Sequence, residues 1–290
     1  MMPKLKILPC LDSPEMSQQR RRELDVKTHI AAALGASAVE SAQRGNYLNG
    51  ANEKVDLGHL VQVACAKKVS IAPDATLPAF APVEYPETTI QVTNETTLGA
   101  SRRLVASGLN PLALNFANGV QPGGGFLNGA RAQEEVLCRS SALYSTLVND
   151  PMYAAHRLRP RPDSTSWAVY SPAVPVFRTD DGTSLEKPWL LSFLTCAAPY
   201  APSIGQPESA DMLQQRIHRI LAIARAYGHA HLVLGAWGCG AFGNDTLRTA
   251  VDFRQALEND FRGAFASVVF AITDWSVERK FLGPFREVFS

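Results

Sequence analysis

The residues best suited to chemistry lie between Leu112 and Leu147, in LALNFANGVQPGGGFLNGARAQEEVLCRSSALYSTL. Glu134 and Glu135 stand side by side after Gln133, with a triglycine, Gly123-Gly124-Gly125, ahead of them and Asn115 and Asn118 ahead of that. Carboxyl groups give and take protons. Glycine backbone lets a ligand come close to the amides. Asparagines at the carboxyl edge of a strand face the crevice where open α/β sheets hold ligands, although they also suit turns. Together these types fit acid/base chemistry on a sugar phosphate. Neighbouring residues on a helix diverge by about 100°, so Glu134 and Glu135 cannot flank a bond as the usual glycosidase pair does, about 5–9.5 Å apart across the sugar. One glutamate is expected to do the chemistry and the other to hold the substrate. A structural alternative exists, since acidic residues in a first turn also satisfy the helix dipole.

A second glycine-rich stretch, HLVLGAWGCGAFGND, runs from His231 to Asp245. Gly238, Gly240 and Gly243 match the dinucleotide fingerprint G-x-G-x-x-G after a strand, which read literally means NAD or FAD. Three features disfavour that reading. The motif lies in the last quarter of the chain, no acidic residue closes the following strand SVVFAIT, and Phe242 crowds the turn. The broader reading is a loop, Gly238-Cys239-Gly240-Ala241-Phe242, whose amides hold a diphosphate at a helix starting near Thr246, with Phe242 as an aromatic face for a base or ribose. Cys239 has no histidine beside it, and Tyr144 and Trp237 read as core.

The chain of 290 residues carries 28 basic and 27 acidic side chains, a formal charge of +1. Such a balance supplies no whole-molecule field for nucleic acid or acidic lipid, so an anionic substrate has to be held locally. The 46% hydrophobic content supports a substantial core. Five scattered cysteines without a CxxC pair fit a reducing cytoplasm better than a disulfide framework. The six histidines show no metal-ligand spacing. The opening MMPKLKILPCLDSPEM lacks the apolar core of a secretory signal, and no apolar run reaches membrane-span length.

Positioning these groups requires strands that end at the glycine loops. Alternation of short apolar strands with helices predicts strands at 89–94, 112–118, 167–177, 189–196, 231–236 and 267–273. Helices are expected at 96–107, 134–148, 210–226 and 246–260. The pattern argues for an α/β sandwich with both sheet faces covered. The proline pair in Ser171–Pro175 places its strand at an edge or bends it. Ahead of this core, residues 13–46 read helical, with Ser13 as cap and Pro14 at the first position, and 57–67 as a shorter helix. Arg20–Arg22 reads as a solvated face. Four prolines between Pro73 and Pro86 mark a connector. The expected division is a helical extension over 1–88 packed on a catalytic core over 89–290.

Asn-Phe-Ala-Asn, the triglycine, and Gln-Glu-Glu after seven further residues resemble the signature of poly(ADP-ribose) glycohydrolases, and Gly235–Asn244 is similar to the phosphate loop of their bacterial-type branch. The resemblance covers nearly the whole chain. It implies a macrodomain, a three-layer α/β/α fold on a mixed sheet with an N-terminal helical extension. It also implies hydrolysis of the ribose–ribose O-glycosidic bond of poly(ADP-ribose), releasing ADP-ribose with no metal and no cofactor. Carried over by position, Glu135 matches the catalytic acid and Glu134 the glutamate that orients the adjoining ribose. Asn118 matches the residue on the distal ribose, Gly123, Gly124 and Gly125 the catalytic loop with Gln133 beside it, and Gly238, Cys239, Gly240, Ala241 and Phe242 the diphosphate loop. The expected partners are poly(ADP-ribose) chains on modified proteins and the product ADP-ribose; a monomer is expected, with no membrane and no sequence-specific nucleic acid. A macrodomain that reads ADP-ribose without cleaving it is the alternative.

Overall fold

The computed structural model describes residues 3–79 and 84–290. The chain enters on β1 (Lys4–Ile7) and forms α1 (Pro14–Leu24), α2 (Thr28–Arg44), a hairpin of β2 (Asn46–Leu48) and β3 (Lys54–Asp56), α3 (Gly58–Lys67) and β4 (Val69–Ile71). Ser13 caps α1 as expected, its Oγ accepting from the Met16 amide at 3.2 Å. The single helical stretch expected over 13–46 breaks at Asp25–Lys27, where the Val26 carbonyl leaves the helix pattern and accepts from Arg131 Nη1 at 3.0 Å. Residues 80–83 of the proline connector, Pro82 among them, lie outside the described residues.

Next come β5 (Glu87–Thr93), α4 (Thr97–Ala106), β6 (Pro111–Ala117), α5 (Gln133–Ser140), α6 (Leu143–Leu147), α7 (Pro151–Arg157), β7 (Ala168–Arg178) and β8 (Ser184–Ala197). Then follow α8 (Ala201–Ile204), α9 (Glu208–Ala226), β9 (His231–Leu234), α10 (Thr246–Glu258), β10 (Ser267–Ala271) and α11 (Leu282–Val288). The helix expected over 134–148 is two, because Ser141 interrupts it. Its backbone is extended at φ −144°, and its Oγ donates to the Leu137 carbonyl at 2.7 Å while accepting from the Leu143 amide.

Among the described residues the main sheet has eight strands in the order β1-β5-β10-β9-β6-β8-β7-β4. The first six are mutually parallel; β7 and β4 are added antiparallel. The stretch before β5 therefore supplies both edge strands, β1 and β4, as well as helices, so it is not the purely helical layer the sequence suggests. Proline in β7 bends the strand: Ala173 takes φ 51° and the register against β8 shifts between Ser171 and Val174.

Alternation along each strand divides the core in two. Leu112 and Leu114 of β6, Ile90 and Val92 of β5 and Phe270 of β10 face one side, under Ile217 and Leu221 of α9 and Phe253 of α10. Ala113, Val233 and Val269 face the other, under Ala38 of α2, Leu98 of α4 and Leu137 of α5. This is the three-layer α/β/α arrangement, with the sheet buried on both faces. Because β5, β10, β9, β6 and β8 are parallel, their carboxyl ends share one edge, and the loops leaving them converge there.

At that edge Asn94 joins three segments. Its Nδ2 donates to the Asp274 carbonyl at 2.7 Å and to Asp12 Oδ1 at 2.9 Å, and its Oδ1 accepts from the Asp274 amide at 3.1 Å. Asn94→Ala strips partners from buried polar groups, and we expect a loss of about 3 kcal/mol in denaturant unfolding.

Candidate active site

A cavity of about 630 Å³ opens at the carboxyl edge of the parallel strands. Its wall includes Asn118, Gln133, Glu134, Glu135, Gly238, Gly240, Ala241 and Phe242. The structure thus brings both glycine-rich stretches and both glutamates to one space. Gly123, Gly124, Gly125 and Cys239 do not line it.

Glu134 is held on both oxygens. Oε2 accepts from the Asn118 amide at 2.7 Å and Oε1 from Asn115 Nδ2 at 3.2 Å. Asn115 is fixed in turn by Thr195 Oγ1 on the neighbouring β8, at 3.2 Å. Burial pushes the Glu134 carboxyl up to about 8 against the lowering effect of those two donors, and the Glu135 charge adds to the rise. Glu135 is held on one oxygen only: Oε1 accepts from the Gly125 amide at 3.0 Å, and Oε2, also buried, has no hydrogen-bond partner among the described residues.

The glycine loop is built around these carboxylates. Gly124 takes φ +57°, and a Cβ there would overlap Glu135 Oε1 and stand 3.1 Å from Glu134 Oε2. The Gly124 amide donates to the Gln121 carbonyl and the Gly125 amide to Glu135. Close approach is thus needed as expected, but the groups approaching in this structure are the protein's own acids. Gln133 staples the start of α5 to β6: its Oε1 accepts from the Phe116 amide at 2.9 Å and its Nε2 donates to the Leu114 carbonyl at 2.8 Å. Asn118 Oδ1 closes the turn that follows, accepting from the amides of Val120 and Gln121 at 3.0 Å.

The second loop differs in its free donors. Among the described residues, the amides of Gly238, Gly240, Ala241 and Phe242 donate to no protein group. The loop is shaped by Asn244, which the sequence reading passed over. Its buried Nδ2 donates to the Pro199 carbonyl at 2.9 Å and the Gly238 carbonyl at 3.1 Å, and its Oδ1 accepts from Ser209 Oγ at 2.6 Å. Gly238 takes φ +77°, where a Cβ would come within 2.7 Å of Ala198 Cβ. The expected role of the following helix N-terminus is corrected, because the Asp245 carboxylate caps α10 by accepting from the Arg248 amide at 2.8 Å. The first turn of that helix is thus served by its own carboxylate, while those four loop amides stay without a protein acceptor among the described residues. Cys239 turns inward, its Sγ against Thr249 Oγ1 at 3.5 Å, and burial pushes its thiol up to about 11. Phe242 lies on the cavity wall, edge-on to Tyr200 at 5.8 Å.

A family model described as microbial-type PARG, catalytic domain, matches residues 35–179. The chain belongs to that family. It is similar to the poly(ADP-ribose) glycohydrolase of Thermomonospora curvata, at 40% identity and a TM-score of 0.84, with 90% of this chain and 99% of that one covered. The same Thermomonospora enzyme bound to the inhibitor ADP-HPD matches at 39% identity and a TM-score of 0.82, over 89% of this chain and 99% of that one. The Deinococcus radiodurans enzyme in complex with ADP-ribose matches at 38% identity and 0.73, over 81% of this chain and 99% of that one. No curated protein gives a significant match.

Beyond Asn244, the sequence reading missed Arg139, fully buried one turn along α5 from Glu135, and Asp180, which lines the cavity from the end of β7. Neither belongs to a recognisable motif. Two predictions follow from the glutamate frame. Gly124→Ala displaces Glu135 and is expected to lower kcat by about 100-fold, measured on poly(ADP-ribose) alongside ADP-ribose affinity. The second concerns pH. Because the folded-state value of Glu134 is raised, native protein binds its proton more tightly than unfolded chain. The resulting stability is full below the unfolded value and is lost as pH rises through about 8. Thermal melts of Glu134→Gln should lack the part of the decline that runs from the ordinary carboxylate range up to about pH 8.

Proposed function

We propose that the chain hydrolyses the ribose–ribose O-glycosidic bond of poly(ADP-ribose) with Glu135 as general acid and base. The observation that carries this assignment is the asymmetry of the pair. Both oxygens of Glu134 are tied to the backbone and Asn115, whereas Glu135, which lines the cavity, keeps its buried Oε2 free of protein partners among the described residues. A residue that moves a proton needs one oxygen uncommitted; a residue that holds a hydroxyl benefits from being fixed.

In this mechanism the four free amides of Gly238–Phe242 take the diphosphate of the unit to be released. Glu134, neutral through its raised value, can donate as well as accept a hydrogen bond to a ribose hydroxyl, and Asn118 lies beside it. Glu135 gives its proton to the departing ribose oxygen as the C–O bond breaks and positive charge develops at the anomeric carbon. Its carboxylate then takes a proton from water, whose oxygen bonds to that carbon, and free ADP-ribose results. Atoms and charge balance with water as the sole co-reactant.

The relatives support the substrate class, since they include complexes with ADP-ribose and with ADP-HPD. None of the helices among the described residues is long and apolar enough to cross a membrane. The proposal extends to a monomer acting in a reducing cytoplasm on polymer attached to proteins, without sequence-specific nucleic-acid binding. It also treats residues 1–88 as an extension packed on a catalytic core of residues 89–290.

Glu135→Gln preserves shape and removes the proton. We expect kcat on poly(ADP-ribose) to fall about 1,000-fold, within the usual range for general acid–base catalysis, while calorimetric affinity for ADP-ribose is little changed. Undiminished release of ADP-ribose would overturn the role of Glu135, and a wild-type chain that binds but never releases it would establish the reader alternative.

A further inference from the structure

Arg139 is fully buried on α5, four residues after Glu135. Its Nη2 donates to the Asp180 carbonyl at 3.1 Å, but its Nε and Nη1 have no partner among the described residues. A buried cation with two unused donors is costly unless opposite charge stands close. On a helix, positions four apart share a face, and side chains lean toward the N-terminus. Arg139 and Glu135 thus share one face of α5, and the Oε2 of Glu135 is itself unpaired.

We propose that Arg139 is a positioning residue for the reaction, its buried charge acting on Glu135 from one turn along the same helix. The inference rests on the reading of Glu135 given above.

The charges around Arg139 fit this role. Asp180 and Glu135 are the carboxylates that act on it, and Arg131 opposes them. Asp180 lines the cavity, accepts from Thr96 Oγ1 at 2.9 Å, and is itself influenced by Glu23 and Arg20 of α1. The Arg139 carbonyl is occupied by Arg178 Nη1 at 3.1 Å, which fixes the backbone beneath the site. A purely space-filling role would be met by an apolar side chain of similar length without desolvating a charge.

The experiment is the pH profile of kcat/KM on poly(ADP-ribose) for wild type, Arg139→Gln, Arg139→Met, Arg139→Lys and Asp180→Asn. With Glu135 as the acid, activity falls on the alkaline side as the proton it must give is lost. Removing the cation makes that proton harder to lose, so Arg139→Gln should move the alkaline limb up by about one pH unit, and Arg139→Lys should bring it back. Asp180→Asn removes a repelling carboxylate and should move the limb down whether or not Arg139 acts. Arg139→Met, apolar and of similar reach, should move it up as Arg139→Gln does and decides the matter if Arg139→Gln fails to fold. An active wild type whose limb stays in place in whichever of Arg139→Gln and Arg139→Met folds overturns the inference alone. Equal profiles for the Gln and Lys variants also overturn it. A wild type without activity overturns the reading of Glu135 and this inference with it.

Discussion

The structure depends on keeping two neighbouring carboxylates out of water at the carboxyl edge of a parallel sheet. Unpaired burial of such groups is expensive. Here the cost is offset by donors that the fold fixes in place: the Asn118 amide and Asn115 side chain on Glu134, and the Gly125 amide on Glu135. Each donor comes from a different constraint. Asn115 is set by strand pairing of β6 with β8, Asn118 by the turn ending β6, and Gly125 by a triglycine whose middle residue leaves no room for a Cβ. Gln133 then locks the helix start to the same strand.

This frame divides the labour between the glycine-rich loops. Both place bare backbone near the cavity, yet the first spends amides on its own carboxylates and on a turn, while the second leaves four amides uncommitted. On the proposed reading the diphosphate goes to that second loop, which Asn244 shapes.

The large elements were legible because their apolar periods are long and regular. Strands β5, β6 and β10 and helices α4, α9 and α10 fall within a few residues of the ranges their sequences suggest. The short strands β1 and β4 were not, since three or four residues carry too little pattern and are held by pairing partners far along the chain. The break between α5 and α6 turns on one serine that prefers to bond backbone, a local choice that the surrounding apolar spacing conceals. At the site, Glu134, Glu135, Asn118 and both loops are readable because glycine and acid types cluster in sequence. Arg139, Asp180 and Asn244 act through contacts 35 to 45 residues away, as with Asn244 and Pro199, and no local motif announces them. The helix dipole gave a reasonable anion site at α10, but Asp245 already fills that role.

The central claim is that burial, resisted by fixed amides, makes the two glutamates chemically different. Carboxyl-carbon NMR titration of glutamate-labelled protein, assigned with single Glu→Gln variants, tests it most directly. The account predicts that Glu134 titrates near 8, in the raised range its burial imposes. A Glu134 midpoint in the ordinary carboxylate range, about 4.3, would contradict it.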